Sequence, residues 1–263
     1  AIRQLEDNLG CSLFIRTSKG VKLTPEGQIL YENIDKAFQF LFTAERKIDE
    51  YKNLLSGEVR IGVSDTLCKY YLVPYLKLFH TLHPAIKIHV VCPTTPVIIH
   101  LLKAGKIDFG LINMPYYDEQ LVFRSIMEIQ DCFAAGDKYR NLSAKMQPLS
   151  EIVKHPLLLL EQASNSRVYI DQYFLNHSIA VSPAFELGNM DLLVQFARFD
   201  LGIACVIRNF IEEELETGRL YEIKLIQPIP PREIGVTWRK DVPLSNASQN
   251  LISLLEFNDT SEI

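Results

Sequence analysis

The clearest periodic signal in the chain runs through Leu30, Ile34, Ala37, Leu41, Ala44, Ile48 and Tyr51, which alternate spacings of four and three residues over three heptads. A sustained 3.5-residue period is the a/d seam of a coiled coil, narrower than the stripe of a helix packed on its own domain. Flanking Glu32, Asp35, Lys36, Glu45, Arg46, Lys47 and Asp49 suit a solvated exterior. The pattern predicts a long helix over 25–56 that pairs with a second copy along this seam. Ahead of it, Ile2, Leu5 and Leu9 line one helix face, and Gly10 follows as a stop. The chain opens at Ala1 without a methionine and reads as starting inside that helix, so upstream residues are expected. Ser12-Leu13-Phe14-Ile15-Arg16 forms a short apolar anchor. Thr17-Ser18-Lys19-Gly20-Val21-Lys22-Leu23 reads as a tight β-turn bending at Gly20. Thr24 is the expected N-cap of the long helix, with Pro25 at its first position and Gln28 closing a box-like cap.

From Glu58 onward short apolar runs alternate with helical patterns, the signature of α/β units. Strands are expected at 59–64, 86–91, 109–112, 132–135, 156–160, 185–187, 202–206 and 234–239. Helices are expected at 67–82, 96–104, 166–176, 191–199, 211–215 and 244–257. These divide into two lobes, one of residues 57–127 and 231–263 and the other of 128–230, with hinges near 125–130 and 227–232. Pro228, Pro230 and Pro231 make the second crossing extended and stiff.

A length of 263 residues accommodates two units, and a 48% hydrophobic content excludes wholesale disorder. No apolar run reaches the length of a membrane helix, so a cytoplasmic protein without a membrane partner is expected. The net charge of −5 argues against a polyanion binder overall. Residues 1–24 differ: Arg3, Arg16, Lys19 and Lys22 outnumber Glu6 and Asp7, so a nucleic-acid role belongs there. Five scattered cysteines without CxxC spacing read as reduced thiols, and His80 with His83 as a solvated helix flank, so no metal or cofactor is expected. Nucleotide-binding, zinc-protease and serine-hydrolase motifs are all missing, which argues against an enzyme. Cys68, near a helix start, reads as a small hydrophobe ahead of a redox group.

Candidate binding chemistry sits where strands hand over to helices. Ser64-Asp65-Thr66, Thr94-Thr95-Pro96 and Ser164-Asn165-Ser166-Arg167 each place hydroxyl or amide groups at such a junction, and Asn189 could cap a further helix. Thr95 before Pro96 reads as an N-cap. Several helix N-termini aimed into one cleft, each with a neutral donor, suit a small carboxylate or other anion.

Ile2-Arg3-Gln4-Leu5-Glu6, Leu9-Gly10, Leu13-Phe14-Ile15-Arg16 and Leu23-Thr24-Pro25-Glu26-Gly27 resemble the winged helix-turn-helix of LysR-type transcriptional regulators. Gly57-Glu58-Val59-Arg60-Ile61-Gly62-Val63, Leu72-Val73-Pro74-Tyr75-Leu76, His83-Pro84 and Gly105-Lys106-Ile107-Asp108-Phe109-Gly110 are similar to that family's effector domain. The resemblance implies an α/β fold class: a partial N-terminal winged helix-turn-helix (1–24), a long coiled-coil linker helix (25–56), then two Rossmann-like lobes of periplasmic-binding-protein type (57–263). It implies double-stranded DNA as partner, with Arg3, Arg16 and Lys19 as contacts, and a homodimer or homotetramer. A small-molecule effector between the lobes would meet Thr66, Thr95 and Asn165, with Ser64, Thr94, Ser164 and Ser166 adjacent. The family's late G-x-G-I-x-x-x-P stretch departs here, with Asp200 for a glycine and Ile207 for the proline. Asp tolerates the left-handed backbone such a glycine occupies. The rival reading is a solute-binding protein with the same two-lobed frame and no DNA role.

Overall fold

The computed structural model describes residues 1–17, 20–52 and 57–256. Helix α1 (Ile2–Leu9) stops at Gly10, whose left-handed backbone (φ 68°) turns the chain out of the helix. The Glu6 carboxylate accepts from the backbone N–H of Leu13 at 2.7 Å and of Phe14 at 3.3 Å, fixing the anchor beneath the helix. Strands β1 (Phe14–Thr17) and β2 (Gly20–Leu23) then pair antiparallel as the wing, with Thr17 opposite Gly20. Lys19, at the expected turn, lies outside the described residues.

Helix α2 spans Pro25–Lys52. The Thr24 hydroxyl accepts from Gly27 N–H at 2.9 Å and donates to the Ser12 carbonyl at 2.7 Å, so the cap also holds the wing to the helix. Gln28 does not close the expected box. It stands one position too far along the helix, and its amide donates to Glu32 at 2.9 Å instead. The third helical position belongs to Gly27, where a Cβ would lie 2.0 Å from the Leu13 carbonyl oxygen. Along α2 three seam positions face solvent in the single chain: Ile34, Leu41 and Ile48 are 40%, 59% and 53% exposed. The expected end of the helix, 53–56, lies outside the described residues.

The first lobe runs β3 (Gly57–Val63), α3 (Asp65–Leu67), a π-helical turn (Cys68–Leu72), α4 (Val73–Leu82), β4 (Ile86–Val91), α5 (Thr95–Lys103), β5 (Phe109–Asn113) and β6 (Leu121–Ile129). The second runs β7 (Asp131–Ala135), a 3-10 turn (Asp137–Ala144), α6 (Leu149–Ile152), β8 (Leu157–Leu160), α7 (Asn165–Asn176), β9 (Phe185–Leu187), α8 (Met190–Arg198), β10 (Ile203–Ile207), a 3-10 turn (Arg208–Phe210), α9 (Glu212–Glu216) and β11 (Tyr221–Ile223). The chain returns through β12 (Arg232–Arg239) and α10 (Asn246–Glu256). The sheets are ordered β4-β3-β5-β12-β6 and β11-β7-β10-β8-β9. Parallel pairing holds β4, β3 and β5 in one and β10, β8 and β9 in the other, while β12 and β7 run antiparallel to their neighbours. One continuous apolar cluster bridges the lobes, from Val63 and Leu67 to Met190 and Val206.

Two boundaries differ from expectation. Residues 125–129, read as hinge, belong to β6, so the first crossing contracts to Gln130. The β6–β12 register shifts between Ile234 and Gly235, and this bulge breaks the alternation by which a strand is read. β12 likewise begins at Arg232 and not at Ile234. At its far end, Arg239 places its guanidinium over the Phe40 ring of α2, 5.3 Å from the centroid. Asp200 does take the left-handed backbone (φ 60°), and its carboxylate accepts from Lys138 N–H at 3.0 Å.

Gly27→Ala must push α2 away from Leu13, an overpacking cost of about 1–3 kcal/mol. Faster amide exchange across β1 and β2 is the expected readout, and unchanged exchange would show that this approach is not what holds the wing.

Candidate functional site

Each candidate loop leaves the carboxyl end of a parallel strand. After β3, Ser64 caps α3 by accepting from Leu67 N–H at 3.4 Å, and Thr66 follows in the first turn. After β4, Thr94 holds the extended backbone of an N-cap, and Thr95 is the first helical residue of α5, fully buried. The cap is therefore Thr94 and not Thr95, because Pro96 is accommodated at the second helical position. After β8, Ser164 is the N-cap of α7, with Asn165 its first residue. Asn189 accepts from Leu192 N–H at 3.0 Å and caps α8. Neither Thr94 nor Ser164 makes a side-chain cap bond, so these hydroxyls are not consumed by their own helices.

Thr66 from the first lobe and Ser166 from the second line one cavity between the lobes, with Asp131, Arg167 and Met190. The other candidates, Ser64, Thr94, Thr95, Ser164 and Asn165, sit at the neighbouring junctions but do not line it. The cavity measures about 20 Å³, the room of a single water. A clasp joins the two lobes close by. Lys69 Nζ and the Tyr70 hydroxyl both donate to Asp191 Oδ1, at 2.6 and 2.5 Å, and Tyr70 stacks on Phe210 with centroids 5.2 Å apart. Burial opposes ionisation of Asp191, yet the bonds from Lys69 and Tyr70 hold its carboxyl below the usual range. Burial, with the bond to Asp191, pushes the Tyr70 hydroxyl upward.

Beside the cavity lies a pair that sequence reasoning missed. Arg232 and Asp131 are 2% and 3% exposed and pair side-on: Nε donates to Oδ2 and Nη2 to Oδ1, the latter at 2.9 Å. Arg232 Nη2 also donates to Ser166 Oγ at 3.0 Å, and its guanidinium lies over the Tyr169 ring, 5.4 Å from the centroid. Gln130 donates to the Ile229 carbonyl at 2.7 Å, so both crossings are tied at one point. The available signal was a lone carboxylate within the apolar run that begins β7. Arg167, also buried, donates to Asp171 at 2.8 Å, the Leu160 carbonyl at 2.7 Å and Glu186 at 3.1 Å. Both buried guanidiniums beside the cavity are thus neutralised within the chain, and the uncommitted donors near it are hydroxyls and helix N–H groups.

At the other end of the chain, Arg3 is exposed on α1, and Arg16 stands in the wing opposite Val21. Among the described residues no helix is long and apolar enough to cross a membrane, and no three His, Cys, Asp or Glu residues group to hold a metal.

Arg232→Ala would leave Asp131 buried and unpaired, at a cost of about 3–5 kcal/mol. Urea denaturation should show that loss, with most of it recovered when Arg232→Met is combined with Asp131→Leu. A small loss would mean that the two crossings do not depend on the pair.

Residues 52–258 match the family described as the LysR substrate binding domain, and residues 1–28 the bacterial regulatory helix-turn-helix proteins of the lysR family. The chain is 26% identical over 264 residues to the uncharacterized HTH-type transcriptional regulator YeiE of Escherichia coli K12, covering all of this chain and 87% of that one. Its fold is similar to the CcmR regulatory domain of Synechocystis PCC6803 in complex with 2-PG, with a TM-score of 0.69 at 19% identity over 76% of this chain and 96% of that one. It is also similar to the effector binding domain of QuiR in complex with shikimate, with a TM-score of 0.66 at 17% identity over 76% of this chain and 95% of that one. With both parts matched in the order the sequence predicts, the chain belongs to the LysR family of helix-turn-helix transcriptional regulators.

Proposed function

We propose that a small hydroxylated or carboxylated anion enters between the lobes and sets how the protein holds DNA. The observation that carries this reading is the cavity that Thr66 and Ser166 share from opposite lobes, lined by first-turn residues of α7 and α8. Helix N-termini favour negative charge, and hydroxyls supply neutral donors. Shikimate, bound in the QuiR structure, is a ligand of this chemistry. Thr66, Thr95 and Asn165 are assigned as its contacts, with Ser64, Thr94, Ser164 and Ser166 beside them. A cavity of about 20 Å³ admits no such molecule, so binding requires the clasp to open. The effector then acts by preferring the opened arrangement, and only that differential affinity can move the equilibrium.

In this reading residues 1–24 meet double-stranded DNA in the cytoplasm. Arg3, Arg16 and Lys19 contact phosphate or the minor groove, which fixes position more than sequence. Residues 25–56 pair two copies along the α2 seam, in a homodimer or homotetramer, and 57–263 receive the effector. The exposed Ile34, Leu41 and Ile48 support pairing, because a row of apolar side chains in water gains by meeting its like.

Fluorescence anisotropy with duplex from the protein's own promoter should show tight, salt-sensitive binding that a scrambled duplex does not share. Equal weak binding to both would sink the regulator reading. Thr66→Ala/Thr95→Ala should weaken binding of a responding hydroxycarboxylate by about tenfold or more, the worth of a lost bond to a charged group, and leave promoter affinity unchanged. Ligand affinity equal to wild type would place the effector elsewhere. Leu41→Lys should convert dimer to monomer in sedimentation equilibrium, and a persisting dimer would move the main interface off α2.

A further inference from the structure

The ladder between β7 and β11 stops at the pair of Phe133 with Ile223, and the next rung would join Asp131 to Leu225. The chain turns to Gln147 instead. Gln147 N–H donates to the Lys224 carbonyl at 2.8 Å, and Ile226 N–H to the Gln147 carbonyl at 2.9 Å. Backbone groups alternate sides along an extended chain, so the N–H and C=O of Leu225 are directed back toward β7. On β7 the Gln130 carbonyl accepts from Arg208 N–H at 2.8 Å on the β10 side, which turns the N–H and C=O of Asp131 toward Leu225. Between them lies an open cavity of about 250 Å³, walled by Phe133, Ile223 and Ile229 and reached past Met146. A cavity of about 150 Å³ already takes up benzene. Asp131 and Leu225 are 4% and 6% exposed. Among the described residues, the Asp131 N–H and both backbone groups of Leu225 meet no protein partner. Buried backbone groups are almost always paired, so these three mark a place for another molecule.

We propose that this slot binds a small neutral amide with a flat apolar body, which completes the rung between Asp131 and Leu225. The amide oxygen accepts from the N–H groups of Asp131 and Leu225, and the amide N–H donates to the Leu225 carbonyl. The apolar body lies against Phe133, Ile223 and Ile229. The chain itself already uses this chemistry at the far end of the slot. There the Gln130 carboxamide donates to the Asp131 carbonyl at 2.9 Å and to the Ile229 carbonyl at 2.7 Å. Charge is not what the slot offers. The Asp131 carboxylate is held by Arg232, Glu222 accepts from Arg208 at 3.1 Å, and Lys224 is exposed at the rim. A ligand seated here touches Asp131 of the first crossing and Ile229 of the second.

The site does not rest on the function proposed above, and its test uses neither effector nor DNA. Asp131 is common to this slot and the interlobe cavity, so the readout must separate the two. The full chain is titrated with benzamide, benzoate and toluene by ligand-observed NMR, and its amide exchange is read residue by residue. Benzamide should bind tightest of the three, because benzoate lacks the donor and toluene the whole amide edge. With benzamide at ten times its Kd, exchange at Asp131 and Leu225 should slow about tenfold. Leu225→Pro removes one donor that no protein group uses and should weaken benzamide about fivefold. Met146→Trp, a change at an exposed position, should block the mouth and abolish binding, and it serves if Leu225→Pro fails to fold. Benzoate or toluene binding as tightly as benzamide would overturn the amide assignment. Protection at 64–66 and 165–170 in place of Leu225 would put the molecule in the interlobe cavity and sink the slot as a site. Unchanged exchange at both amides, with no benzamide bound, would mean that water alone completes the rung, and the proposal would fall.

Discussion

The two lobes meet the chain twice, and the buried pair of Arg232 with Asp131 holds both passages at one point. A buried ion pair is poor evidence of net stability, since desolvation of two charges offsets much of their attraction. Its value here is positional. Asp131 opens β7 and Arg232 opens β12, so the bond joins the first residue of one sheet's strand to the first of the other's. Once both groups are buried, neither can leave without stranding the other, and Ser166 and Tyr169 complete the enclosure. The two crossings between the lobes therefore share one chemically fixed point.

The clasp across the cleft is a different kind of contact. The side chains of Lys69 and Asp191 are 56% and 41% exposed, and an ion pair so wet is screened and weak. The Tyr70–Phe210 stack adds apolar contact. Between a buried hinge pair and a solvated clasp, the clasp is the contact that yields. A ligand of modest affinity can then change the lobe arrangement without disturbing the hinge.

Much of this architecture is legible in the sequence because periodicity and turn chemistry act locally. The long helix α2, Gly10 as a stop, Thr24 as a cap and the run of strands β3, β4 and β5 all follow from near neighbours. What stays hidden depends on distant ones. Asp131 and Arg232 lie 101 residues apart, and nothing in either local pattern points to the other. β6 is masked by a bulge that only its pairing with β12 reveals. The sequence places hydroxyls at several strand–helix junctions alike, and only the fold brings Thr66 and Ser166 to one cavity. The cap of α5 was misread by one residue, because proline is as comfortable at the second helical position as at the first.

Strand β12 begins at the pivot with Arg232 and ends at Arg239, over the ring of Phe40 on α2. The hinge pair and the contact with the long helix are thus at two ends of one interior strand of the first lobe's sheet. The first lobe and the helix form a stator, and the second lobe is the rotor. In the function proposed above, opening of the cleft would then sweep the second lobe past a frame that includes α2. Whatever the rotor touches in an assembled regulator, on a neighbouring copy or on the transcription machinery, is where the opening of the cleft is felt.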